Sequence, residues 1–167
     1  MTVDPDVAPD VDPSILERLR RSGIRIDREG RFIHEGEEVR HQGLRAALFR
    51  WLDRLPPPDG RYILRLDPQR YAYVDVDDTP LVARSARVDG DRALLVLSDG
   101  SEEGLDPGTL TLDPAGVLRC WVRDGRLEAR LSTSAAAVLA ERITEEQGQP
   151  ALVLGRRRFP LPARPGS

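Results

Sequence analysis

The pair Ile26-Asp27 followed by Gly30 recurs as Leu112-Asp113 followed by Gly116, and each copy stands at the head of an alternating, strand-like segment. Self-similarity of this kind restricts the chain to folds that can be built twice over. Allowing three extra residues in the second copy, Phe32, Ile33, His34 and Gly36 fall opposite Trp121, Val122, Arg123 and Gly125. A helical pattern and a closing strand follow in each copy. In the first, Leu44, Leu48, Trp51, Leu52 and Leu55 share one helical face from about Gly43, and Pro56, Pro57 and Pro58 end it. In the second, Ser132 to Ser134 cap a helix expected over Ala135 to Glu146 that ends near Gly148. Tyr62 to Leu66 and Ala151 to Leu154 are the two closing strands.

Turn residues punctuate the rest of the chain. Glu35-Gly36 is placed for a tight hairpin, and Asp67-Pro68, Asp78 to Pro80 and Asp89-Gly90 separate Tyr62 to Leu66, Tyr71 to Val76, Leu81 to Val88 and Ala93 to Leu97. That spacing predicts an antiparallel meander. A further hairpin spans Val117 to Leu131 around Asp124-Gly125. On it Leu118, Cys120, Val122, Leu127, Ala129 and Leu131 alternate with Arg119, Trp121, Arg123, Arg126, Glu128 and Arg130, so one face is expected to be buried and the other charged. Before the first repeat, Asp12 and Pro13 mark the start of a short helix in which Ile15, Leu16 and Leu19 form a stripe ended by Gly23.

The fold class expected is α+β, with antiparallel strands, two similar hairpin-helix-strand motifs from an internal duplication, and a short N-terminal helix. The expected divisions are an acidic, Pro-rich flexible tail over 1–13, then the N-terminal helix, first motif and meander over 14–98. The second motif over 99–162 packs on the first, and a flexible tail spans 163–167. With 167 residues, neither half is large enough to be stable alone.

The run Arg31-Phe32-Ile33-His34-Glu35-Gly36, then Arg40, then Leu44 to Phe49, resembles the start of a bacterial family known as domain of unknown function 1285. The order of later segments is similar too, through Leu66-Asp67-Pro68 and Val74 to Pro80, so the resemblance spans roughly residues 24–162. Two positions depart from the family pattern, which carries a lysine near Gln69-Arg70 and an aromatic after the proline at Pro80. The resemblance implies two similar α+β motifs in one body and a role in ligand binding or signalling.

Composition excludes several chemistries. All 25 basic residues are arginine, because the chain has no lysine, and it has no asparagine either. A Walker A phosphate loop, a Schiff-base lysine and a kinase lysine are therefore ruled out, as is N-glycosylation. The single cysteine, Cys120, rules out an internal disulfide and a thiolate metal cluster, and fits a reducing cytoplasm. A net charge of −3 argues against nucleic acid or anionic membrane as a partner. No signal peptide or long apolar run is present, so a soluble, unprocessed protein is expected.

His34 and His41 with Glu35, Glu37 and Glu38 lack the convergence a metal needs, so no metal and no cofactor are expected. The pairing of repeats places Phe32 with Trp121 and His34 with Arg123, and Arg40 lies close by. Phe32, His34, Arg40, Trp121 and Arg123 are therefore the candidate binding residues, at a cleft between the repeats that takes a small anionic or flat ligand. A non-enzymatic binding or signalling module is the favoured function. The alternatives are a hydrolase-type enzyme using His34 with a nearby carboxylate, and a scaffold for a protein partner. Arg156, Arg157 and Arg158 suit either an acidic partner or a charge-guarded strand edge.

Overall fold

The computed structural model describes residues 20–164, so the expected N-terminal helix and tail lie outside the described residues. Strands β1 (Arg21–Ile26), β2 (Phe32–His34) and β3 (Glu37–Glu38) form one meander, and helix α1 (Gln42–Trp51) leads to a second, β4 (Leu52–Arg54), β5 (Tyr62–Arg65) and β6 (Tyr71–Val76). The two meanders join where β1 runs parallel to β6, with Ile26 opposite Val76, giving the sheet order β3-β2-β1-β6-β5-β4.

The next six strands repeat this plan. They are β7 (Leu81–Asp89), β8 (Arg92–Leu97), β9 (Glu102–Gly104), β10 (Thr111–Leu112), β11 (Leu118–Val122) and β12 (Leu127–Leu131), with a 3-10 turn at Pro107–Thr109 in the place of α1. Their order is β10-β11-β12-β7-β8-β9, joined by a parallel β7·β12 pair with Leu81 opposite Ala129. Helix α2 (Thr133–Ala140) then leads to a three-stranded sheet of β13 (Ile143–Glu146), β14 (Gln149–Leu154) and β15 (Arg157–Pro160). Two similar six-stranded mixed sheets with two helices make this a mostly-β α+β fold, and the shared plan suggests duplication.

The turn where the sequence repeats relates the chain differently, setting β1–β2 against β10–β11, and so β1–β6 against β10–β15 with a helix in the middle of each. Asp27 Oδ1 accepts from the N–H groups of Glu29 (3.0 Å) and Arg31 (2.9 Å), and Asp113 Oδ1 accepts from those of Ala115 and Val117 (both 2.9 Å). Gly30 and Gly116 close the two turns at φ 80° and 82°, a conformation that favours glycine. The backbone beyond matches as well. Ile26 C=O accepts from Asp77 N–H (2.9 Å), and Leu112 C=O accepts from Arg164 N–H (2.8 Å) beside a parallel bridge from Leu112 to Ala163. Both helices are capped alike, with His41 Nδ1 accepting from Leu44 N–H and Ser132 Oγ from Ala135 N–H, each at 3.1 Å.

Five expectations need correction. The two six-stranded sheets are mixed, not antiparallel, because the first strand of one meander lies beside the last strand of the next, while the three-stranded sheet is antiparallel. The expected continuous meander is cut between β6 and β7: Thr79 Oγ1 donates to Leu81 C=O (2.7 Å) and accepts from Arg130 N–H (3.2 Å), which hands the chain to the second sheet. Helix α1 stops at Trp51, since Leu52 turns extended (ψ 125°) and pairs opposite Leu64. Helix α2 stops at Ala140, and Gln147-Gly148 is a two-residue hairpin turn with φ 53° and 76°, where a polar residue before glycine had read as a helix end. The repeat register shifts with these. Ile26 faces Phe32 and Leu112 faces Leu118, so Phe32 corresponds to Leu118 and not to Trp121; β11 has five residues against three in β2.

The core collects Ile26, Phe32, Leu48, Phe49, Leu52, Leu64 and Val74 from the first sheet and its helix, and continues through both later sheets. Burial alternates on β11 as expected but is broken on β12 by buried Glu128; Cys120 is enclosed and its thiol pKa is pushed up to about 12 by burial, which makes it unreactive. Two outcomes follow from the turns and caps. His41→Ala removes the cap acceptor of α1 and lowers stability by about 1 kcal/mol, whereas His41→Asp restores most of it, read from urea midpoints. At Asp27, burial pushes the carboxyl pKa up but is outweighed by the Arg31 N–H and guanidinium; at Asp113 the Val117 N–H is the largest influence, and the pKa falls. A depressed folded value contributes stability above the unfolded value near pH 4 that is lost as pH falls through the folded value. Urea midpoints from pH 7 to pH 2.5 therefore fall steeply below about pH 4 in the wild type and less steeply in D27N/D113N.

Candidate ligand site at the seam between the sheets

The face of β11 and β12 that reads as charged is partly covered. Arg54 and Asp53 on the edge strand of the first sheet reach Trp121 and Arg126, and Glu128 is only 7% exposed. Burying a carboxylate requires compensation. Glu128 has it from Arg164, hydrogen-bonded to Oε1, and from Arg119 at 3.6 Å. Arg119 in turn reaches Asp78 Oδ1 (2.6 Å) and Asp113 Oδ2 (3.0 Å), and Arg130 lies 3.3 Å from the other oxygen of Asp78. The connector between the sheets and the repeated aspartate turn are thus tied together by one planar guanidinium.

Aromatic groups complete the seam. Arg54 on β4 lies 4.9 Å from the Trp121 ring centre and 5.8 Å from that of Tyr62, a stacking arrangement with both sheets contributing. Its Nε donates to Gly60 C=O (2.9 Å), and it forms no ion pair with any described carboxylate. Trp121 is fixed from behind, where its backbone N–H donates to Thr109 Oγ1 (3.1 Å). Burial pushes the Tyr62 hydroxyl upward in pKa, and the Glu128 charge adds to this while Arg54 opposes it. Tyr62 therefore stays a neutral hydrogen-bonding group. A cavity of about 240 Å³ opens here, lined by Thr111, Arg119, Cys120, Trp121, Glu128 and Arg164.

Of the five candidate binding residues, Trp121 lines this cavity. Phe32 is fully enclosed, its ring centre 4.7 Å from that of Phe49, and faces the core. His34 is exposed at the end of β2, where it lies against Gly23, and its side chain makes no hydrogen bond or ion pair with any described residue. Arg40 is exposed and 3.6 Å from Glu38. Arg123 sits in the β11–β12 turn at φ 53°, with its guanidinium on Asp99 and its backbone N–H donating to Glu103 (2.8 Å). The residues that sequence reasoning missed are Arg54, Tyr62, Arg119, Glu128 and Arg164. Only the alternation that put Arg119 and Glu128 beside Trp121 pointed to any of them.

A larger open cleft of about 670 Å³ lies where β1 bulges away from β6 between Arg21 and Arg25, but Arg61 and Tyr73 on its wall are bonded to each other at 2.9 Å. Among the described residues no group of three or more His, Cys, Asp or Glu is placed to hold a metal ion, and no helix is long and apolar enough to cross a membrane.

No family model matches the chain, and no curated protein matches it significantly in sequence. Solved structures do match. A DUF1285 family protein from Silicibacter pomeroyi superimposes with a TM-score of 0.71 at 24% identity, over 84% of this chain and 80% of that one. A DUF1285 family protein from Shewanella baltica superimposes with a TM-score of 0.59 at 16% identity, over 71% of this chain and 91% of that one. The chain has the fold of these proteins.

Proposed function

We propose that the chain is a DUF1285 family protein acting as a non-enzymatic binding module, with a small, flat, anionic ligand at the seam between its two sheets. The observation that carries this reading is Arg54, a cation with no described carboxylate partner, held against the rings of Trp121 and Tyr62 beside a cavity. A planar anion gains from both features, since its ring stacks and its charge faces guanidinium. The volume limits the ligand to about one ring with a carboxylate, because sites for drug-sized molecules start near 300 Å³. Both halves of the chain meet there, since the first supplies Arg54 and Tyr62 and the second supplies Trp121 and the cavity lining. His34, exposed and without a carboxylate partner, gives the acid–base alternative no support.

The test is a thermal-shift screen of aromatic monocarboxylates, followed by titration of any compound that responds. A ligand at about a hundred times its Kd adds about 2.7 kcal/mol to stability and raises Tm visibly. Arg54→Gln and Trp121→Leu each weaken that ligand about tenfold or more. A screen without response, or a response that survives both substitutions, removes the seam as the site.

A further inference from the structure

We infer that the cleft between the second and third sheets binds a zwitterionic α-amino acid with an apolar side chain. This site is separate from the seam and does not depend on it. The cleft has a volume of about 530 Å³, with Leu94, Leu105 and Leu154 in its lining and Phe159 and Pro107 beside them. Arg92, Arg157, Asp91 and Asp106 supply its charges. Neither guanidinium forms an ion pair with any described residue, although most of the chain's other described arginines are matched to carboxylates. Two positive and two negative groups around the partly exposed Leu94 and Phe159 complement a ligand that carries one charge of each sign and a hydrocarbon group.

The fold explains why these residues meet. On β15, Arg157 and Phe159 share one face, with the guanidinium carbon 5.3 Å from the ring centre, while Arg158 points to the other face and reaches Glu146 at 2.9 Å. The arginine triplet is thereby divided: Arg156 in the turn, Arg157 at the cleft and Arg158 in an ion pair. The turn before β15 is pressed onto the β7–β8 turn. A Cβ at Gly155, which has φ 59°, would come within 3.0 Å of the Asp91 Cβ, so only glycine lets the two turns approach this closely. That contact sets Asp91 and Arg92 across from Arg157. Asp106 is committed to the 3-10 turn, where Oδ1 accepts from Gly108 N–H (3.0 Å), whereas Asp91 makes no hydrogen bond with any described residue. The ligand carboxylate is therefore assigned to Arg92 and Arg157, its ammonium to Asp91, and its side chain to Leu94 and Phe159. In a chain without lysine, arginine is the only side chain that holds such a carboxylate at all pH values, and its fork fits one.

Amide chemical shifts of the full chain, titrated with L-leucine and with L-phenylalanine, test this. Saturable shifts are expected at Leu94, Leu105 and Leu154. Arg92→Gln, Arg157→Gln and Asp91→Asn each weaken binding about tenfold or more, the scale of a lost charge-assisted hydrogen bond. Arg156→Gln leaves it unchanged, and Trp121→Leu leaves leucine binding unchanged. 4-Methylpentanoate, which lacks the ammonium, and 3-methylbutylamine, which lacks the carboxylate, bind about tenfold or more weaker than leucine. Both arginines are exposed, so their variants keep the wild-type thermal midpoint, and lost binding in them reports the site. No saturable shift up to about 10 mM ligand, equal binding by the variants, or equal binding by either truncated ligand overturns the assignment.

Discussion

Phe32→Ala lowers the unfolding free energy by about 3–5 kcal/mol, the range for emptying a phenylalanine site in a packed interior. The side chain is fully enclosed and meets Phe49 edge-on, so it links β2 to α1 across the core of the first sheet. The loss includes transfer of the ring, the aromatic contact and the cavity left behind, because backbone on both sides is held by sheet and helix hydrogen bonds. Against a typical domain stability of about 5–15 kcal/mol, that brings the variant near its unfolding threshold at 37 °C. Phe32→Leu keeps most of the volume and costs about 1–1.5 kcal/mol. Urea denaturation of the three proteins checks this, with the same slope expected for each. A loss below about 1 kcal/mol for Phe32→Ala would mean that Phe32 is not a core residue. The same series separates core from site, since Phe32→Leu retains seam-ligand affinity.

The contrast between Phe32 and Trp121 shows what alternation can and cannot reveal. Period-two spacing put Leu118, Cys120, Val122, Leu127, Ala129 and Leu131 on a buried face, and all six are buried. It could not show that the opposite face would also be covered, because that depends on where the first sheet packs. Glu128 looked like a surface carboxylate and is buried, since Arg119 and Arg164 come to it from 9 and 36 residues away. The repeated Ile-Asp and Leu-Asp turns were legible because an aspartate that accepts two N–H groups needs a fixed spacing to its glycine. The number of residues between the hairpin strands was not, and aligning Gly36 with Gly125 moved Phe32 onto Trp121. The parallel pairs escaped notice for a related reason: local turn signals describe neighbours in sequence, whereas β1·β6 and β7·β12 are set by long-range docking. Sheet and helix boundaries failed where one signal served two structures, as with Gln147-Gly148 and with Leu52.

Arg119→Met should destabilise the protein by about 3 kcal/mol or more, although methionine fills similar space. Its guanidinium is 13% exposed and meets Asp78, Asp113 and Glu128, so removing the charge leaves carboxylates gathered in a poorly solvated seam. Breaking a buried network on one side costs more than the network contributes, because the desolvated partners stay behind. Burial pushes the Arg119 pKa down, yet hydrogen bonds to Asp78 and Asp113 outweigh it and raise the value, so the side chain is charged throughout the working range. Arg119→Lys keeps the charge but reaches fewer carboxylates, since an ammonium is a point donor in place of a planar fork, and it recovers only part of the loss. That is the physical cost of lysine at a position where this chain uses arginine. A double-mutant cycle with Asp78→Asn measures the coupling directly: an interaction energy above about 1 kcal/mol is expected, and additivity within about 0.5 kcal/mol would show that the seam is solvated and the ion network contributes little.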